Sequence, residues 1–593
     1  MREDLFDETV WSPPEILPDL SGEKIIAVDV ETRDPHLRDL GPGWPRKDGN
    51  LIGVAVASSD WNAYLPIAHQ GGGNMAKDIV LRWLQDQLDH GMAVVFHNAQ
   101  YDLGWLLDEG ITVKGQILDT MIAAPLLDEN RFSYSLNALG SSYLGQKKLE
   151  DELKRAAAQH GVDAKAEMWK LPAERVAAYA EMDQATKTLL EGKEKALLKE
   201  VHSETNIDLE PWNAKSLAKV FESLGLEYEE TEKSKAPSFT KRFLSGHSHP
   251  IARKILEIRE YNKANTTFID TILKHQYEGR IHCQFNQLRS EDGGTVSGRF
   301  SSSNPNLQQV PSRHPEIKEL IRGLFIPEDG CRWGSFDYSA QEPRWLMHYA
   351  SLVSETKDDE KVVEIVSQYQ NDDIDFHQII ADLAGVERRD AKTISLGIMY
   401  GMGLGKLAQT MGDITFEEAR TLRQEYDEKV PFIRALATAV MQVASRRTEI
   451  RTLAGRKCRF PMRELMGYSK TMKPSIHVDK LEERWRDILE TPEEERPNNW
   501  KDLNPAKYQV AFVYKSLNRL IQASAADQTK KAMKDCMDNG HWPMLTVHDE
   551  LCFSIEDDGQ VAAIKELMEN CIPELRIPSR VDVGLGTSWG SAK

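Results

Sequence analysis

The run Ile25–Val30 is apolar except for Asp29, and Glu31 follows at once. A short apolar run of this kind reads as a buried strand. Residues two apart on a strand leave the same face, so Asp29 and Glu31 point together. Two acids on one face of a buried strand repel and are costly to desolvate. A divalent cation that prefers hard oxygen ligands, Mg²⁺ above all, relieves that cost. Most Asp-x-Glu pairs are solvated surface; the apolar strand around this one shifts the balance. Downstream, Leu51–Ala57 and Ala63–Ile67 read as strands, Met75–Leu88 as a helix, and Ala93–Phe96 as a fourth strand leading into His97–Asp102 and an apolar helix. Strands followed by crossing helices make an α/β domain over residues 23–195, behind an acidic, Pro-rich arm at 1–22.

The chain has 593 residues, which exceeds what one core serves, so about three or four domains are expected. It contains no run of about 18 apolar residues, so no transmembrane helix and no membrane partner are expected. The acidic start Met1-Arg2-Glu3-Asp4 has no secretory h-region. Six cysteines without a CxxC pair or a Cys/His cluster argue against structural zinc and disulfides, and suit a reducing cytoplasm. A net charge of −19 speaks against nucleic-acid binding, because phosphate contacts need Lys and Arg. Charge acts locally, however: between Thr231 and Arg280 ten Lys/Arg face five Asp/Glu.

Residues 205–280 read as helical, with Leu217, Val220, Phe221 and Leu224 on one face and Ile251–Lys274 as a long helix. Strands return at Ile281–Leu288 and Cys331–Tyr338, and residues 375–450 are mostly helical. The charged stretch 463–505 reads as a surface insertion without an assignable function. Pro543–Val547 and Leu551–Ile555 flank His548-Asp549-Glu550, a hairpin with acids at its tip. A second acid, Asp337, closes the strand before a helix start at Gln341-Glu342-Pro343-Arg344. Either segment alone could be a helix-capping Asp or an exposed turn. Between them Arg388, Lys392, Leu396 and Tyr400 recur every four residues before Gly401. On a helix this aligns two cations, an apolar side chain and a ring along one stripe, suited to a triphosphate at one end and a base at the other. A solvated basic helix end would also account for the cations.

These blocks resemble the family A DNA polymerases, typified by bacterial DNA polymerase I, and most of all their bacteriophage members, over residues 23–593. Ser297–Ser302 with Asn304–Gln308 is similar to the primer-template contact motif, Asp337–Arg344 to motif A, Arg388–Gly401 to motif B and Val547–Glu550 to motif C. Asp29, Glu31, Asp102, Tyr179 and Asp183, in that order, resemble the motifs of DEDDy proofreading nucleases. The fold implied is α/β and multidomain: an RNase H-like 3′–5′ exonuclease domain followed by a right-hand polymerase. Its thumb is expected at 205–280, palm at 281–374, fingers at 375–450 and the rest of the palm at 451–593.

The resemblance further implies that Asp337 and Asp549 hold two Mg²⁺ ions, with Glu550 in support and Mn²⁺ as an acceptable substitute. Asp29, Glu31, Asp102 and Asp183 would hold two more, and Tyr179 would orient the attacking water. Arg388, Lys392 and His377 would contact the triphosphate, Tyr400 the base, and Glu342 would exclude a ribose 2′-OH; Tyr338 counts among the nucleotide contacts. Arg299, Asn306, Gln522 and His548 would contact primer-template DNA. Partners implied are DNA, dNTPs and replisome proteins such as helicase, primase and single-strand-binding protein, around a monomer in the host bacterial cytoplasm. The region 205–280 has no long insertion of the thioredoxin-binding kind, so that partner is not expected. With the exonuclease motifs beginning near Asp29, no 5′-nuclease domain is expected, which favours a phage replicase.

Leu396 departs from the usual Phe or Tyr. A Tyr hydroxyl can stand in for a missing 3′-OH and Leu cannot, so strong discrimination against dideoxynucleotides is expected. Ala340 replaces a common Gln, with no consequence legible in the sequence. Three rivals remain: a single-subunit RNA polymerase, opposed by Glu342 and the full proofreading set; a lesion-repair polymerase, opposed by the intact Asp29, Glu31, Asp102 and Asp183; and a non-catalytic DNA-binding scaffold, opposed by the retained carboxylates; a stand-alone exonuclease is the alternative if the polymerase site is inactive.

Overall fold

The computed structural model describes residues 13–58, 60–68, 74–127, 133–135, 198–231, 236–263, 268–277, 279–287, 295–311, 315–371, 374–399, 402–411, 414–466, 475–497 and 500–592. The first sheet contains β1 (Ile25–Arg33), β2 (Asn50–Ala57), β3 (Asn62–Pro66), β4 (Ala93–Phe96) and β5 (Ile117–Asp119), in the order β3-β2-β1-β4-β5. The first three pair antiparallel; β4 and β5 join in parallel, as crossover helices require. Along β1 the residues Ile26, Val28 and Val30 are buried while Asp29 and Glu31 take the other face. Strand alternation thus delivers a dry inner face and an acidic outer one. Helices Lys77–Asp89 and Ala99–Asp108 seal the core with Leu84, Trp105 and Leu106.

The helical region beyond is built on Asn213, whose side chain accepts hydrogen bonds from the Lys215 and Ser216 amides and caps helix Ala214–Ser223. That helix buries Leu217, Val220 and Phe221 against Ile251, Ile255 and Ile258. The expected long helix appears as Pro250–Lys263 and Asp270–His275. The strand expected at 281–288 is reduced to Arg280–Ile281 and Gln284–Asn286.

The second sheet positions the chemistry. It consists of β6 (Arg332–Tyr338), β7 (Leu545–Val547), β8 (Glu550–Ile555) and β9 (Val581–Gly586), in the order β7-β8-β6-β9, all antiparallel. One face, with Phe336, Tyr338, Leu551 and Phe553, packs on helices Ser516–Asp538 and Asp558–Asn570. The other carries Trp333, Cys552, Leu545 and Val547, covered by the C-terminal Trp589. At the end of this second face the cover stops and the acids begin.

Helices Phe376–Ala384, Arg388–Met399, Phe416–Lys429 and Pro431–Arg447 form the expected helical region and share one core with Gln341–Ala350 and the long helix Ser516–Asp538. The charged insertion, read as surface from sequence, folds. Met462–Leu465 is the central strand between Ser475–His477 and Tyr508–Val510. The amphipathic helix Val478–Glu490 buries Leu481 and Ile488, and Trp485 stacks on Trp500 at 6.0 Å. Its charges line the outside of a unit that runs on to residue 510.

Candidate active sites

In the N-terminal domain, Asp29 faces Ala55 and Glu31 faces Gly53 across β1 and β2, with the register slipping just after Glu31. Asp102 enters from the helix after β4 and accepts the Val30 N–H on Oδ1 at 3.0 Å. Val30 lies between the two strand acids, so this one bond brings the third acid to them. Burial, then the charge of Asp29, pushes Asp102 up to about 7. Asp119 at the end of β5, not singled out from sequence, accepts the Asn98 and Ala99 N–H groups at 3.1 and 2.9 Å and fixes the turn that launches Asp102. Only its place at a strand end hinted at this. Tyr179 and Asp183 lie outside the described residues.

In the second sheet, Asp337 on β6 stands opposite Glu550 on β8 and opposite Asp582 on β9. Directly paired residues project to the same face, so three acids form a row. Asp549 sits at the adjoining hairpin tip, where its carbonyl accepts the Tyr338 N–H at 3.4 Å. Asp337 is exposed on the cleft floor yet walled by protein: burial first, then the charges of Asp549, Glu550 and Asp582, push it up to about 7. Asp549 is also raised, by burial, with Glu342 adding to the effect and Arg299 and His548 opposing it. Asp582 was missed in the sequence reading; alternation along Val581–Gly586 was its only signal. Two non-glycine residues here hold left-handed backbone, His548 at φ +60 and Ala340 at φ +49. Such strain persists where surrounding structure enforces it.

Arg299 donates to Glu342 across the mouth of this site. Gly298, at φ +79, leaves room for Arg456: a Cβ there would come within 2.9 Å of its guanidinium. Arg456 in turn pairs with Asp527 at 2.7 Å and donates to the Ser297 and Ala523 carbonyls, both at 2.8 Å. Beside them lies a cavity of about 680 Å³ whose lining includes Arg299, Asn306, Lys515, Asn518, Gln522 and His548. All four residues expected at DNA from sequence therefore border one groove.

On the helical side Arg388 is bound to Asp375 at 2.7 Å, and Asp375 caps the next helix by accepting the His377 and Gln378 amides. Lys392, one turn beyond Arg388, is exposed. One expectation is corrected. The Tyr338 side chain points away from the cleft into the core, donating to the Met568 carbonyl at 2.7 Å, because neighbours of an outward Asp337 must point inward. His377 is 8% exposed with Nδ1 unpartnered; burial, then the charge of Lys392, pushes it down to about 4, with Arg388 acting in the same direction. Tyr400 lies outside the described residues, as does the side chain of Leu396.

Among the described residues no three His, Cys, Asp or Glu side chains are gathered closely enough to hold a metal ion as they stand. The donor chemistry fits one nonetheless: hard carboxylate oxygens whose ionisation is opposed by burial and by one another are what a divalent cation relieves.

Acids at the end of an antiparallel sheet, a basic groove beside them, and a separate acidic α/β domain define a template-directed nucleotidyl transferase with a nuclease. The comparisons agree. The DNA polymerase family A profile matches residues 178–591 and a 3′–5′ exonuclease profile matches residues 13–191. A DNA-directed DNA polymerase of Pseudomonas phage M6 is 33% identical over 98% of this chain and 96% of its own. DNA polymerase DpoZ of Salmonella phage PMBT28 is 26% identical over 97% and 98%. The thermostable DNA polymerase I of Thermus aquaticus is 32% identical over 63% of this chain and 41% of its own. A solved structure of the POL domain of Pol1 from M. smegmatis, in complex with DNA primer-template and dNTP, shares the fold at TM-score 0.69 and 23% identity, covering 96% of this chain and 97% of that one. The chain belongs to the family A DNA polymerases. It is a phage-type DNA-directed DNA polymerase with a 3′–5′ exonuclease domain. Among the described residues no helix is long and apolar enough to cross a membrane.

Proposed function

We propose that Asp337 and Asp549, with Glu550 in support, hold two Mg²⁺ ions for nucleotidyl transfer, and that Asp29, Glu31, Asp102 and Asp183 hold two for primer hydrolysis; Mn²⁺ would serve in either site. Such ions, when bound, stabilise the attacking and leaving oxygens of an in-line displacement. The observation that carries the assignment is the acid row Asp582–Asp337–Glu550 with Asp549 at the adjoining hairpin tip, next in the chain to His548, which lines the groove together with Arg299.

The chain's own residues then divide the work. Primer-template DNA lies along Arg299, Asn306 and Gln522, with His548 near the primer terminus. Lys392 and Arg388 take the triphosphate, and their charge offsets that developing on its oxygens. Arg388 must first exchange Asp375 for phosphate. Glu342 crowds a ribose 2′-OH, Tyr400 closes on the base, and Tyr179 orients water at the second site. The enzyme would act as a monomer in the host bacterial cytoplasm among helicase, primase and single-strand-binding protein.

The test is gel-resolved extension of a labelled primer-template with Mg²⁺ and four dNTPs. Asp549→Asn should only degrade the primer, and Asp29→Ala should only extend it. Extension by Asp549→Asn at the wild-type rate would remove Asp549 from the polymerase site.

A further inference from the structure

Glu550 is aimed as well as paired. The segment after β9 folds back over the open face of the second sheet, where the Trp589 N–H donates to the Phe325 carbonyl at 2.9 Å. The indole is 1% exposed. It stacks on Trp333 at 6.1 Å, meets Phe325 edge-on at 5.5 Å, and lies 4.1 Å beneath the Arg322 guanidinium. Packing alone accounts for these ring contacts. It does not account for Nε1, which donates to Glu550 Oε1 at 3.3 Å. A buried indole N–H usually finds an acceptor, and the one Trp589 has is the acid opposite Asp337. The Cys552 thiol, fully buried on the same face, donates to the same oxygen at 3.4 Å.

We infer that Trp589 is a positioning residue of the polymerase site, holding Glu550 by one oxygen so that the other is presented to the cleft. Both donors converge on Oε1, which leaves Oε2 for the site. Glu550 and Asp337 would otherwise repel across the strand pair and Glu550 would turn away. The C-terminal strap thereby belongs to the active site. The inference rests on the assignment of Asp337, Asp549 and Glu550 to nucleotidyl transfer.

The experiment uses the full chain with Trp589→Phe, which keeps an aromatic ring against Trp333 and removes the N–H together with part of the ring volume, a packing loss the urea midpoint reads. Trp333→Phe is the packing control, and Glu550→Ala and the Trp589→Phe/Glu550→Ala pair complete a cycle. Single-turnover incorporation, Mn²⁺ binding by electron paramagnetic resonance, exonuclease rate and urea midpoint are measured on each. Trp589→Phe should slow incorporation about tenfold, as loss of a hydrogen bond to a charged group does. It should weaken Mn²⁺ binding several-fold, leave the dNTP KM and exonuclease rate unchanged, and add nothing in the Glu550→Ala background. Additive losses in the cycle, an equal loss in Trp333→Phe, or exonuclease and urea midpoint falling in step would overturn the inference. Full-rate extension by Asp549→Asn would instead overturn the assignment beneath it.

Discussion

Arg299 and Glu342 form an ion pair across the mouth of the proposed polymerase site, with Glu342 the more deeply buried partner. One is a proposed contact to primer-template DNA, the other the proposed barrier to a ribose 2′-OH, so nucleotide choice and DNA grip share one interaction. Substrate must enter beside a pair that is already made.

That pair is open to a mutant cycle. Glu342→Ala should raise ribonucleotide incorporation roughly tenfold or more and also weaken primer-template binding, because Arg299 loses its anchor. A cycle with Arg299→Ala should return a coupling of about 1–2 kcal/mol, reduced by partial solvent exposure. Additive effects on DNA binding would show that the pair is incidental.

Leu396 should govern terminator use. Leu396→Tyr is expected to raise dideoxynucleotide incorporation roughly a hundredfold, since a hydroxyl placed at the sugar restores a polar partner that Leu lacks. Competition between dideoxy- and deoxynucleotide in primer extension measures it. A ratio near one in the wild type would sink the expectation.

Acid should destabilise the polymerase domain through His348. This residue is 1% exposed; its Nδ1 accepts the Arg576 N–H at 3.2 Å and its Nε2 has no partner. Burial, then the Arg576 charge, pushes it down to about 4. Between an ordinary pKa near 6.5 and that value the unfolded chain binds a proton that the folded chain refuses. Stability therefore falls as pH drops through this window, by up to roughly 3 kcal/mol. Urea midpoints at pH 7.5 and 5 should show the fall. His348→Gln should flatten part of it, His377 accounting for another part.

Phe336 is the packing hinge beneath Asp337. It is fully buried and meets Phe553 edge-on at 5.4 Å. Phe336→Ala should cost about 3–5 kcal/mol and lower polymerase activity, because Asp337 follows it directly on β6. Exonuclease activity should survive, since Asp29, Glu31 and Asp102 belong to a separate core. Loss of both activities together would show that the two cores unfold as one.

Much of this was legible in the chain itself, because it depends on residues close in sequence. Alternation on β1 sets Asp29 and Glu31 on one face. Two apolar runs around His548-Asp549-Glu550 can close only as a hairpin, and the four-residue spacing from Arg388 to Leu396 lies on one helix. Alternation would also have turned Tyr338 inward had it been applied one residue past Asp337. The remainder was settled by which strands and segments lie side by side. Pairing of β6 with β9 brings Asp582 to Asp337; the fold-back of the C-terminus brings Trp589 to Glu550. The Asp102–Val30 bond brings Asp102 to Asp29 and Glu31, and packing buries His377. These are contacts between segments distant in the chain, set by how separate apolar faces pack. No local spacing encodes a partner that only packing chooses.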